Sequence, residues 1–564
     1  MWIWSNWRAW WGELGGVTLA SMRLVLTLSL IVGVSHPAFA RDSPVVRAPA
    51  GVVRGQAQGD LNIFRGLPYA APPSGKMRWR PPVAAPGWRG VRDATRFGPA
   101  CYQPPPRGAS IYNDPPASMS EDCLSLNIWT PAHAHNAPVM VWIHGGSLVS
   151  GSGSETIYDG SALAKRGLVV VTINYRLGVL GYLAHPGLSA ELPDGVSGNY
   201  GLLDQIEALR WVRRNISAFG GNPRKVTVAG ESAGALSVIY LMASPPARGL
   251  FHQAILESGY MISTPELREK RFGEEPAEAI GVRLAAKLGV GGVAGLRAMD
   301  PATITQRTLQ AGYFPLGTID GHVLPRQPVD VFDRGEQANV PVLVGFNSGE
   351  IRSLRFLAPP PPANRAAYVD AIRKRYGSLA DQFLRLYPPS DLAGSILADT
   401  RDALYGWTAE RIATKQAAIG VPSFLYFFDH GYPAADAKDL HGFHASELPY
   451  IFGTTDRTPP AWPKVPATPE EERLAAAMSG YWAAFVRTGS PAAAGEPRWQ
   501  PFADGKAYMG FARAPRPDKD LLPGMYELHE EVVCRRRAQG NTPWNWNAGI
   551  LSPPLPPEPP SGCR

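Results

Sequence analysis

The chain has 564 residues, 45% of them hydrophobic and 18% charged, with a formal net charge of +7. That apolar content supplies a large buried core, and a small net charge not gathered into one basic block argues against nucleic acid as a partner. With 56 prolines and 59 glycines the sequence predicts many ordered loops between short elements.

The first forty residues read as a targeting segment. Met22-Arg23 precedes the apolar run Leu24 to Val32, and Ala38-Phe39-Ala40 follows as a small-x-small cleavage site. Residues 1–40 are thus expected to be a signal peptide cut after Ala40, with Met22 an alternative start and an uncleaved membrane anchor the competing reading. Export to the periplasm or the medium follows, with no stable membrane span after cleavage. Residues 41–535 are expected to form one catalytic domain, and the proline-rich residues 536–564 an extended or disordered tail.

From Val45 to about Trp88 the sequence reads as strand and turn, the expected antiparallel edge of a sheet. Cys101 and Cys123 close a proline-rich polar loop. In an exported chain such a pair is predicted to be bridged, which restricts the unfolded chain by about 3 kcal/mol. Cys534 and Cys563 either join the tail to the body or stay free. Pro138 to Ile143 is a buried-type strand running into His144-Gly145-Gly146-Ser147. Consecutive glycines let backbone N–H groups converge on one cavity, as the alkoxide of an acyl-transfer intermediate requires. A phosphate cradle is the alternative, but the G-K-[ST] that should follow is missing. Leu168 to Asn174 is another central strand, and Gly201 to Asn215 is helical by the spacing of Leu202, Ile206, Leu209 and Val212. Asn215-Ile216-Ser217 matches a glycosylation acceptor and is taken as chance.

The strand Lys225 to Val228 leads into Gly230-Glu231-Ser232-Ala233-Gly234 and then a helix. A serine between strand and helix, with glycine two residues to each side, fits the G-x-S-x-G nucleophile elbow. The turn lifts the Ser232 hydroxyl above the sheet, near the positive end of the helix. A serine hydroxyl needs a base to take its proton, and the base needs an acid to hold its tautomer.

Several stretches in the same order resemble the type-B carboxylesterases, the family that also holds the cholinesterases and the bacterial para-nitrobenzyl esterases. They are Phe64 to Tyr69, Glu121 to Asn127, Asn174 to Gly178, Phe219 to Pro223 and the elbow itself, within a match from about Val45 to Phe502. The resemblance implies an α/β-hydrolase fold, with a large, mostly parallel central sheet flanked by helices. It also supports the Cys101–Cys123 bridge. It implies a serine ester hydrolase acting through an acyl-enzyme on a small-molecule ester, with no metal or cofactor, as a monomer or weak homo-oligomer. Glu350, after the strand Val340 to Gly345, occupies the family's catalytic glutamate position, although the residue before it, commonly acidic, is Gly349 here. His430, His441, His444 and His529 are the histidines that follow, and His444 to Gly453 resembles the family's histidine segment. Ser232, Glu350 and His444 are therefore the expected triad, with the N–H groups of Gly146, Ser147 and Ala233 as the oxyanion hole. His441 is read as a decoy, exposed or capping, because no cysteine or carboxylate cluster joins it to His444 as a metal pair.

Substrate choice is less legible. Within the family this chain resembles, the cholinesterases carry a tryptophan in the disulfide loop; the stretch from Tyr102 to Asp122 has Tyr112 and no tryptophan, so the resemblance argues against choline esters. Glu231 sets a carboxyl beside the nucleophile, expected to hold buried water and loop backbone. Tyr313, Phe314 and Phe443 are candidates to line an acyl or alcohol pocket, with core packing as the alternative. Two other classes stay open: a hydrolase of a specific natural ester or amide on the same fold, and a non-catalytic adhesion module. The latter usually lacks the nucleophile that this chain retains.

Overall fold

The computed structural model describes residues 42–105, 110–545, 549–559 and 562–563. The expected signal peptide, residues 1–40, and its cleavage junction lie outside the described residues. One sheet of eleven strands runs through the molecule. In chain order its strands are β1 (Gln56–Gln58), β2 (Leu61–Pro68), β3 (Ser125–Pro131), β4 (Ala137–Ile143), β5 (Val169–Ile173), β6 (Gly221–Glu231), β7 (Gln253–Glu257), β8 (Val342–Asn347), β9 (Ser423–Phe428), β10 (Ala507–Phe511) and β11 (Pro515–Lys519). Their spatial order is β1-β2-β3-β5-β4-β6-β7-β8-β9-β10-β11. From β5 through β10 every neighbouring pair is parallel. The pairs at both ends are antiparallel. The expected edge is thus β1 and β2, while Val45–Ala48, Gly51–Arg54 and Val91–Asp93 form a separate small sheet.

The central strands are mostly apolar and buried through the middle of the sheet because both faces are covered. Side chains alternate between two cores. Val139, Val141, Ile143, Val169 and Val171 pack into one, and Met140, Trp142 and Val170 into the other. The helices that matter for the site are α1 (Tyr200–Asn215), α2 (Ala233–Ala243), α3 (Glu350–Ser353), α4 (Trp407–Ala418), α5 (Leu448–Phe452), α6 (Pro469–Thr488) and α7 (Met525–Gln539). Every residue of α2 is buried, as expected of a helix pressed against the middle of the sheet. Among the described residues no single helix is long and apolar enough to cross a membrane.

The domain boundary expected at residue 535 falls inside α7. The chain beyond it is held to the body. Trp544 is fully buried, with its ring 5.9 Å from that of Trp407, and the Leu555 N–H donates to Arg375 O at 2.7 Å. Both disulfides form, Cys101–Cys123 and Cys534–Cys563. The pairing left open for the second is therefore a tie between tail and α7.

Candidate active site

The predicted triad and oxyanion-hole residues follow the carboxyl ends of parallel strands, where an open α/β sheet leaves its crevice. Ser232 follows β6 directly, at φ 56° and ψ −120°, a strained backbone that costs about 1–3 kcal/mol and persists only where packing over-determines it. Glycine on either side makes that packing feasible. A Cβ at Gly230 would lie 2.5 Å from the carbonyl carbon of Gly234, and one at Gly234 would lie 2.0 Å from Ile143 O. The Ser232 N–H is tied to Glu257 O at 2.9 Å.

Glu350 opens α3 just after β8 and is fully buried. Its Oε1 accepts from the Asn347 N–H at 2.8 Å, and its Oε2 lies 2.5 Å from His444 Nδ1. A carboxylate can only accept, so Nδ1 carries the proton and Nε2 is left as the basic nitrogen. The Gly349 that departs from the family pattern has a steric reason: a Cβ there would sit 2.5 Å from Leu440 O. The Gly349 N–H donates instead to Gly442 O, docking the acid loop onto the histidine loop.

The structure therefore joins Glu350 to His444. It does not join His444 to Ser232 by a hydrogen bond. The Nε2 atom lies 3.0 Å from Glu231 Oε1, on the residue preceding Ser232. That approach lacks hydrogen-bond alignment, because Glu231 Oε1 has no hydrogen-bonding partner. The imidazole thus reaches the elbow but is turned toward its carboxyl, and catalytic contacts commonly tighten only when substrate binds.

The loop after β4 has Gly146 at φ 94° and Ser147 at φ 58°. Among the described residues neither N–H donates to a protein acceptor. Ala233 is the first residue of α2, so the helix leaves its N–H unpaired as well. His144 supports this loop. Its ring stacks on Tyr175 at 4.5 Å, and burial lowers its pKa to about 4, so it stays neutral. A Cβ at Gly145 would meet Glu231 Oε2 at 2.7 Å, which is how closely loop and elbow approach.

Four buried carboxyl groups surround the site. Burial, then the charges of Glu350 and Glu155, raises Glu231 well above the usual carboxylate range. Glu447 is pushed up to about 8 by burial and then by Glu231 and Glu350. Its Oε2 accepts from Asn347 Nδ2 at 2.5 Å. Glu257 is likewise raised by burial and by Glu447, and its Oε1 accepts from Trp482 Nε1 at 2.6 Å. Sequence reasoning singled out Glu231 but missed Glu257 and Glu447. Glu447 stands three residues after His444, inside the stretch that resembles the family's histidine segment, and its turn backbone gives no periodic signal.

Of the aromatic candidates, Phe443 is fully buried with its ring 4.8 Å from Trp462 and belongs to the core. Tyr313 packs with Leu180 and Leu284 in a satellite cluster. The rings facing His444 are instead Tyr405 at 5.4 Å and Tyr112 at 6.4 Å. His441 is exposed on Asp436, and His430 pairs with Glu471. Among the described residues no group of histidine, cysteine and carboxylates could hold a metal ion.

The Carboxylesterase family model matches residues 42–522. A fumonisin B1 esterase of Sphingopyxis macrogoltabida is 38% identical over 488 residues, covering 83% of this chain and 87% of the relative. A para-nitrobenzyl esterase of Bacillus subtilis is 36% identical over 454 residues, covering 79% and 90%. Among solved structures, a PNB esterase superposes with a TM-score of 0.73 at 32% identity, covering 86% of this chain and 99% of that one. A Geobacillus stearothermophilus carboxylesterase does so with a TM-score of 0.73 at 33% identity and the same coverage.

Proposed function

The chain belongs to the carboxylesterase family and is a carboxylesterase, and from that premise we propose that it works through an acyl-enzyme on Ser232, with His444 as general base and Glu350 as the acid that orients it. The observation that carries this reading is the contact of Glu350 Oε2 with His444 Nδ1 at 2.5 Å, which leaves Nε2 as the base beside the elbow.

Ser232 Oγ attacks the ester carbonyl as its proton passes to His444 Nε2. The carbonyl oxygen becomes an alkoxide and is met by the N–H groups of Gly146, Ser147 and Ala233, each of which contributes on the order of 3 kcal/mol to lowering the barrier. The bond to the alcohol breaks, and His444 gives the proton to the leaving oxygen. Water then adds to the acyl carbon while its proton goes to His444. Ser232 Oγ departs and recovers that proton as the acid is released. No step requires a metal or cofactor.

The hydrolysed molecule is a small carboxylic ester. Export to the periplasm or the medium is our reading of the N-terminal sequence. Two formed disulfides support it, since such bridges persist in oxidising compartments.

The test is Ser232→Ala. Turnover of a chromogenic short-chain ester and labelling by a fluorophosphonate probe should both vanish while the circular dichroism spectrum is unchanged. Hydrolysis retained by the purified variant would remove Ser232 from the mechanism.

A further inference from the structure

His444 is gripped at its ring and along its backbone. The ring is held by Glu350, but the peptide that follows it is held by a residue remote in sequence. Tyr112 lies in the loop closed by Cys101–Cys123, and its hydroxyl donates to His444 O at 2.9 Å. The same hydroxyl is 2.7 Å from Ser353 Oγ, at the end of the short helix that Glu350 begins. With one phenolic proton to give, Tyr112 serves the carbonyl when the Ser353 hydroxyl turns its own proton to the phenol oxygen. Among the described residues no other group donates to His444 O.

We propose that Tyr112 is a positioning residue for the reaction: its hydroxyl holds the peptide after His444 and thereby sets the reach of Nε2 toward Ser232. The inference rests on the triad reading above.

Three further observations support it. First, Ala445, the next residue, stands at φ 66°. A residue with a Cβ keeps that left-handed conformation only where neighbours hold it. The His444–Ala445 peptide is the link whose rotation would relax Ala445 and swing the imidazole. Second, Tyr112 is placed by more than its hydroxyl. Its ring meets Trp462 edge-on at 5.8 Å and His444 at 6.4 Å, so the phenol arrives on a packed support. Third, burial, followed by the charges of Glu231, Glu350 and Glu447, raises the Tyr112 pKa well above 10, so the hydroxyl keeps its proton across any working pH.

The geometry links the disulfide loop to both proposed partners of the reaction. Glu350 and His444 meet at Oε2 and Nδ1, and Tyr112 bridges the same two segments from the backbone side through Ser353 and His444 O. Acid and base are thereby fixed to each other at two points, which limits rotation of the imidazole about the single contact at Nδ1.

The experiment compares Tyr112→Phe, Ser353→Ala and Ser232→Ala in the full chain. Tyr112→Phe keeps the ring on Trp462 and removes only the hydroxyl. The expected result is a fall in kcat of about tenfold, with KM within about twofold and an unchanged melting temperature, because a contact that orients a reacting group is felt in turnover rather than binding. Fluorophosphonate labelling should slow by a similar factor, since it uses the same base. Ser353→Ala leaves the bond to His444 O in place but cuts the tie to the helix that Glu350 begins, so kcat should fall by a smaller factor, about two- to threefold. Sites are counted by labelling carried to completion, so that any unfolded fraction is excluded. Wild-type kcat in Tyr112→Phe overturns the proposal. So does an equal loss in Tyr112→Phe and Ser353→Ala accompanied by a lowered melting temperature, which would make the contact purely structural. Activity surviving in Ser232→Ala would instead overturn the triad reading on which the proposal rests.

Discussion

Replacing Glu350 by glutamine tests the core of the mechanism with the least change of shape. The two oxygens of Glu350 have different partners, the Asn347 N–H at 2.8 Å and His444 Nδ1 at 2.5 Å. Glutamine has one oxygen and one amino group to offer them. If the oxygen stays with Asn347, the amino group faces Nδ1 and forces the imidazole into the tautomer with its proton on Nε2, which cannot accept from Ser232. If the amide flips, two N–H donors confront each other in a buried site at a cost of about 2 kcal/mol, roughly a thirtyfold loss of the productive form. The flipped amide also lacks the charge that stabilises the imidazolium in the transition state, worth about another 2 kcal/mol for a charge-assisted bond. Together these give a fall in kcat of about a thousandfold or more. The assay is turnover of a chromogenic ester at saturating concentration, with the melting temperature measured in parallel. A folded Glu350→Gln enzyme within tenfold of wild type would refute the assignment of Glu350 as the orienting acid.

The remaining predictions are simpler. Gly234→Ala should yield no folded enzyme, since its Cβ would sit 2.0 Å from Ile143 O in the central sheet, and soluble expression with normal circular dichroism would contradict this. Glu155 and Glu447 both have pKa values raised to about 8 by burial, so the folded protein holds their protons more tightly than the unfolded chain does. The stability they contribute is fully present below the unfolded carboxyl range and is lost as pH rises through about 8. The melting temperature should therefore decline between about pH 5 and pH 9, and less steeply in Glu447→Gln; a rise over that window would contradict the sign. Serine at both Cys101 and Cys123 should remove about 3 kcal/mol from the free energy of urea unfolding, and an unchanged midpoint would show that the loop is restrained by other contacts.

The elbow that carries Ser232 was legible in the sequence because its geometry is local. Gly230, Ser232 and Gly234 lie within one turn, and the collisions that forbid larger residues there involve the strand before and the helix after. The central strands were legible for a related reason: a strand covered on both faces is mostly apolar, as Val169 to Ile173 is with Thr172 its one polar residue. The proposed base was harder, since His441 and His444 are three residues apart and only the resemblance of the segment around His444 separated them. Tertiary structure decided the rest. Glu231 meets the imidazole of a residue far along the chain, Tyr112 reaches the carbonyl of that same residue from the disulfide loop, and Cys534 finds Cys563. Phe443 has the composition of a pocket wall and the burial of a core residue. Periodicity reports which face of an element is apolar, but not which distant element will cover it. Contacts that bring remote segments together depend on how the layers stack, and that geometry exists only once the chain has packed.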